Sequence, residues 1–97
     1  MNSETSAAVR HNEARRRYEL VLDDAVIGFA DYRDEGGRRV FPHTEVRSSH
    51  EGRGFGARLV QAALDDTRSR GLTVLPLCSF VAAYIHRNPE YADLLAS

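Results

Sequence analysis

The chain has one cysteine, Cys78, so no internal disulfide can staple the fold. The thiol is then either a small buried filler or a group with chemistry of its own. Neither sign of charge is in excess: 13 Lys and Arg against 14 Asp and Glu leave a formal net charge of −1, which argues against a nucleic-acid partner. No apolar run reaches the length of a membrane span, and Met1-Asn2-Ser3-Glu4-Thr5 lacks the basic and apolar regions of a signal peptide. A cytoplasmic protein with no membrane partner is the expectation. His43, His50, His86 and Cys78 show no zinc-ligand spacing, so no metal is expected. There is no Gly-Lys-Ser/Thr for a nucleoside-triphosphate loop, no internal repeat and no low-complexity linker.

What remains is one small domain, with 97 residues and 42% hydrophobic content. Residues 1–14 are polar and without a sustained period, and they read as a flexible tail before a domain over residues 15–97. The run Arg15-Arg16-Arg17 suits phosphates or RNA, but Glu13 and Glu19 beside it favour a solvated edge. Residues 18–22 and 25–33 have the content of two strands joined at Asp23-Asp24 into a hairpin, and Gly36-Gly37 turns the chain into a third strand over residues 38–46. Strict alternation puts Phe41, His43 and Glu45 on one face of that strand and Val40, Thr44 and Val46 on the other, with a break or bulge at Pro42.

Phe55, Leu59, Val60, Ala63 and Leu64 recur at helical spacing within residues 53–70, and Gly71 stops the helix. Residues 72–77 read as a short strand, parallel to the third because a helix separates them. A second helix over residues 79–87 ends at Asn88-Pro89, and residues 90–95 give a last helical turn. The expected class is α+β: a mixed, mainly antiparallel sheet with two main helices.

The turn Arg47-Ser48-Ser49-His50-Glu51-Gly52 and the helix start Arg53-Gly54-Phe55-Gly56-Ala57 carry the functional argument. A glycine-rich turn between strand and helix leaves amide groups free at the positive end of the helix dipole, an arrangement that holds phosphate. Bare positions at Gly54 and Gly56 would let it approach. This start, together with His43-Thr44-Glu45-Val46, Pro76-Leu77-Cys78-Ser79-Phe80-Val81, Tyr84 and Asn88-Pro89, resembles a short single-domain branch of the GNAT superfamily of N-acetyltransferases. The resemblance covers residues 18–95.

The resemblance implies a minimal GNAT-like fold and acetyl-CoA as cosubstrate, with direct transfer of the acetyl group to a small-molecule or peptide amine. It places the cofactor phosphates at Arg53, Gly54, Phe55, Gly56 and Ala57, and the pantetheine arm between strands that splay around Val46 and Leu75, touching the main chain of Val46 and Arg47. Glu51 departs from the family's Arg or Gln: either it points to solvent and Arg53 or Arg58 meets the phosphates, or affinity is lower than in relatives. Tyr84 matches the position of an acid for the departing thiolate, or else is a core tyrosine. Cys78 lines the cofactor slot or accepts the acetyl group itself, and the lining role is favoured. His43 and Glu45, two residues apart on a strand, suit relay of the amine's proton. A coenzyme A or acyl-CoA binding module without turnover, and an RNA-binding protein using Arg15, Arg16, Arg17, Arg38 and Arg39, are the competing readings.

Overall fold

Five strands and two α-helices follow one another along residues 7–95, the part of the chain that this computed structural model describes. They are β1 (Ala8–Asn12), β2 (Arg17–Leu22), β3 (Ala25–Glu35), β4 (Arg38–Val46), α1 (Phe55–Ser69), β5 (Thr73–Pro76) and α2 (Ser79–Arg87), with 3-10 turns at Ser48–His50 and Pro89–Leu94. The strands lie in the order of the sequence, antiparallel from β1 to β4 and parallel between β4 and β5. This is the α+β mixed sheet that the periodicities imply. Both hairpins of the β2-β3-β4 meander use two-residue turns with positive φ at both positions: 50° and 66° at Asp23 and Asp24, 56° and 80° at Gly36 and Gly37. Such turns match the right-handed twist of the strands they join. Among the described residues no helix is long and apolar enough to cross a membrane.

The N-terminal stretch corrects one expectation. Residues 1–6 of the expected tail lie outside the described residues, but Ala8–Asn12 forms β1 and pairs with β2 from Ala8↔Val21 to Asn12↔Arg17. An edge strand needs only one packed face, and it is held by polar contacts that an apolar period does not reveal. Arg10 Nε and Asn12 Nδ2 donate to the two carboxylate oxygens of Glu19, at 2.9 Å and 3.2 Å. Glu19 is buried beneath them. Of the basic run, Arg15 and Arg16 sit exposed in the turn, while Arg17 opens β2.

The hydroxyl of Tyr18 donates to Asp66 of α1 at 2.6 Å, so the even-numbered residues of β2 face the helix. Under α1, Tyr18, Leu20, Ala30, Tyr32 and Phe41 meet Phe55, Leu59, Val60, Ala63 and Leu64 in one core. The five helical positions marked by spacing are all buried. Phe41 belongs to this core, with ring contacts to Tyr18 and Tyr32, whereas His43 and Glu45 point to the opposite face beside Phe29. The expected sharing of a face by all three fails because β4 carries an extra residue between its pairings with Asp31 and Arg33, at Phe41-Pro42. Pro42 marks the bulge, and the extra residue reverses the alternation of side chains beyond it.

Away from Pro42, a buried polar hub ties β1, β2, β3, β4 and α1 together. Arg39 grips Asp34 through Nε and Nη2 at 2.7 Å and 2.9 Å, donates to the Tyr18 hydroxyl at 2.7 Å and lies over the Tyr32 ring. His11 stacks on Tyr18, bonds the Tyr32 hydroxyl through Nε2, and faces Arg70 through Nδ1. Burial holds its pKa below the ordinary value; Asp66 and Glu13 oppose this while Arg70 and Arg39 assist. With the folded value lowered, the unfolded chain takes up a proton first as pH drops. The contribution of His11 is therefore complete above about pH 6.5 and is lost as pH falls below it. Between about pH 7.5 and 5.5 the urea midpoint of the native chain should fall more than that of His11→Gln. Equal slopes would remove His11 from the hub.

Candidate active site

The β4-β5 ladder runs from Arg38↔Thr73 to Phe41↔Pro76 and stops. Neither Pro76 nor Pro42 has an amide hydrogen to continue it. Leu77 N donates back to the Leu75 carbonyl at 3.2 Å, a three-residue turn around Pro76, and the last tie is Cys78 N to the Phe41 carbonyl at 2.8 Å. Beyond it β4 runs on beside β3 alone, and the sheet opens. Arg47 N donates to Ile27 O at 2.7 Å, toward β3. Antiparallel alternation then turns the main-chain groups of Val46 and Thr44 toward the opening. Of the two residues expected to offer main chain there, Val46 does so. The Arg47 amide is committed to the sheet, which corrects that part of the expectation.

A cleft of about 480 Å³ occupies the opening. Thr44, Glu45 and Val46 form one wall, the turn residues Glu51, Gly52 and Gly54 with Gly56 and Ala57 of α1 form the other, and Phe80 of α2 closes the side. The helix begins at Phe55, with Gly54 as N-cap in the left-handed region at φ 78° and no side chain bonding the cap. The first amides of α1, at Phe55, Gly56 and Ala57, thus keep no intrahelical partner. The Phe55 side chain turns into the core, leaving only its main chain for a ligand.

The backbone at Gly54 and the space at Gly56 both suit glycine, apart from any ligand. A Cβ at Gly54 would meet nothing, but the positive φ disfavours any other residue. A Cβ at Gly56 would stand 2.5 Å from Cζ of Phe80, so the bare position seats that ring. Among the nearby charges, Arg58 donates to the Ala7 carbonyl at 2.9 Å and is spent on structure. Arg53 is exposed, and its guanidinium has no hydrogen-bond partner among the described residues. Glu51 lines the cleft, where its carboxylate opposes an anion.

Cys78 is the N-cap of α2 and partly buried. Burial pushes its thiol up, but the Thr44 hydroxyl and the amides of Val81, Phe80 and Thr44 outweigh that and leave the pKa lowered. Thr44 Oγ1 is buried and makes no hydrogen bond of good geometry. Tyr84 is not among the cleft-lining residues. Its ring packs on Tyr91, and its phenol pKa is raised by burial and by the carboxylates of Glu90 and Asp65. His43 Nε2 and Glu45 Oε1 are 3.0 Å apart on the exposed face, so the relay pair is brought together, and Glu45 also borders the cleft. Thr44 and Phe80 were not foreseen as site residues. Thr44 was within reach of the alternation that selects Val46; Phe80 depends on a long-range contact with Gly56.

The sequence profile of the GCN5-related N-acetyltransferases matches residues 17–94. The chain belongs to that family. Solved structures agree on the fold. A GCN5-like protein of Staphylococcus aureus, solved by NMR, superimposes with a TM-score of 0.73 at 19% identity, covering 96% of this chain and 91% of its own. An N-acetyltransferase from Staphylococcus aureus Mu50 gives 0.59 at 14% identity over 76% of this chain and 50% of its own. An N-acetylglutamate synthase from Neisseria gonorrhoeae gives 0.63 at 17% identity over 89% of this chain and 22% of its own. The protein is thus a GNAT-like acetyltransferase, spanning half or less of the latter two.

The seating of Phe80 on Gly56 is testable in this acetyltransferase without any ligand. Gly56→Ala should displace the exposed Phe80 ring at a cost of about 1 kcal/mol or less, and adding Phe80→Ala should recover most of that loss. Purely additive effects in urea unfolding would show that the ring does not need the bare position. Gly54→Ala should cost about 1–2 kcal/mol whether or not Phe80 is present.

Proposed function

We propose that this acetyltransferase takes its acetyl group from acetyl-CoA seated in the cleft and passes it directly to an amine. The observation that carries the reading is the opening of the sheet beside an uncapped helix start, with main-chain groups of Thr44 and Val46 on one wall and the first amides of α1 on the other. An extended, amide-bearing arm pairs with such a strand edge much as another strand would. A diphosphate suits the amides of Phe55, Gly56 and Ala57. Arg53 adds a cation and Glu51 weakens the attraction, so affinity rests more on amides than on net charge. The Neisseria N-acetylglutamate synthase, which shares the fold, is described as complexed with coenzyme A and N-acetyl-glutamate.

In the reaction the nitrogen of a neutral amine forms a bond to the thioester carbonyl carbon, the C–S bond breaks, the nitrogen loses a proton and the thiolate takes one from solvent. Glu45 accepts the proton from nitrogen and His43, hydrogen-bonded to it, relays the proton to solvent. The start of α2 receives the thiolate, where the amides of Phe80 and Val81 already favour negative charge on the neighbouring sulfur of Cys78. Tyr84 keeps its proton at neutral pH, but the ring stands off the cleft lining, so packing is its role in this scheme.

Glu45→Gln should slow thiol release from acetyl-CoA by about 100-fold or more while leaving coenzyme A affinity within a few-fold. Cys78→Ser and Tyr84→Phe should each retain turnover within about tenfold. A loss confined to Tyr84→Phe would instead assign the acid to that phenol. The lowered thiol of Cys78 favours a second reading, transfer through an acetyl-Cys78 thioester. Intact mass after incubation with acetyl-CoA alone decides it: direct transfer leaves no adduct, and a rapidly formed adduct that Cys78→Ser abolishes would replace the proposal.

A further inference from the structure

On the face of the sheet opposite α1, a hollow of about 220 Å³ lies over β2, β3 and β4. Its side chains of consequence are Arg17, Phe29, Glu45 and Arg47, around a floor at Gly28. A Cβ at Gly28 would stand 3.0 Å from the Glu45 carbonyl oxygen and 3.2 Å from Cγ2 of Val46, so the bare position lets β3 lie close to β4 there. Glu45 lines both this hollow and the cleft between β4 and β5. The strand end that carries the base of the proposed reaction is therefore a partition with a recess on each side.

The two arginines are not equivalent. Arg17 is occupied: Nε contacts Asp31 at 3.3 Å, Nη1 lies 3.7 Å from Glu19, and the guanidinium sits 4.1 Å over Phe29. Arg47 is anchored by its main chain to Ile27, yet its guanidinium has no hydrogen bond or ion pair among the described residues. An exposed cation without a partner among the described residues, lining the same hollow as the base that would take an amine's proton, selects for an anion on the acceptor. The acids nearby, Glu45, Asp31 and Glu19, make a doubly charged phosphate less suitable than a single carboxylate. A second ammonium group on the acceptor would be repelled by Arg47.

We infer that the acceptor is an amine that also carries a carboxylate, seated in this hollow with the carboxylate on Arg47 and the amine directed to Glu45. The inference rests on the direct-transfer reading and names the substrate class of the same site. A planar guanidinium can bind a carboxylate through two parallel hydrogen bonds, which lysine imitates only as a point charge.

The test offers acetyl-CoA with matched amines, glycine through 6-aminohexanoate against methylamine through hexylamine, and follows thiol release. Amide shifts of the coenzyme A-saturated chain are recorded alongside. At the best chain length, kcat/KM should favour the amino acid about tenfold or more, and that ratio should collapse toward one in Arg47→Gln and return in part in Arg47→Lys. The same amino acid should move the amides of Gly28, Phe29 and Arg47. Equal use of both series, a preference untouched by Arg47→Gln, or no response to any member overturns the inference. If coenzyme A still shifts the amides that open α1, the cofactor reading survives that result; if it does not, both fall.

Discussion

The structure turns on where hydrogen bonding between two parallel strands is made to stop. Pro76 ends β5 opposite Phe41, and Pro42 follows directly on the partner strand, so the ladder loses its donors on both sides at one level. The turn at Leu75 to Leu77 and the tie from Cys78 to Phe41 fix where α2 begins, and the gap is left between Val46 and the first turn of α1. Unpaired main chain in a protein is costly unless something bonds it. A strand edge and a helix start left open across one cleft therefore define what should enter: a ligand with amides for the edge and anionic groups for the helix.

An opened sheet has to be secured elsewhere, and the hub at the far end of β4 does this. Arg39 is nearly inaccessible, at 4% exposure, and it is satisfied by Asp34, Tyr18 and the face of Tyr32. Removing one partner from such a group leaves a charge buried, which makes the cluster cooperative. On the face opposite α1, Arg10, Glu19, Arg17 and Asp31 form a charged lattice with Phe29 beneath Arg17. That lattice leaves a shallow recess beside Glu45, the seat of the proposed substrate selection.

Most of the fold was legible because it follows from local periodicity. The spacing of Phe55, Leu59, Val60, Ala63 and Leu64 gave α1 its buried face, and Asp23-Asp24 and Gly36-Gly37 marked hairpin turns that the backbone adopts. β1 escaped because its attachment is a ladder plus ion pairs to Glu19, and neither leaves an apolar period. In the site, the glycine-rich helix start and Val46 could be read directly. The position of Phe41 could not be read by plain alternation, since one bulge reverses the parity of everything beyond it. The function of Gly56 was hidden for another reason: its constraint is the ring of Phe80, distant in sequence. The packing of Tyr84 on Tyr91, near Glu90 and Asp65, could not be read from its place in the motif.

Amide hydrogen exchange at the end of β4 is the most direct measurement of the central claim. In the free chain Val46 should exchange quickly, having no partner across the gap, while Arg47 is protected by Ile27 and the Thr44 amide faces the Cys78 sulfur. Saturation with coenzyme A should slow Val46 by about tenfold or more, together with Phe55, Gly56 and Ala57, and leave Arg47 little changed. If coenzyme A binds and the Val46 amide exchanges as before, the opened strand edge is not its site and the account is contradicted.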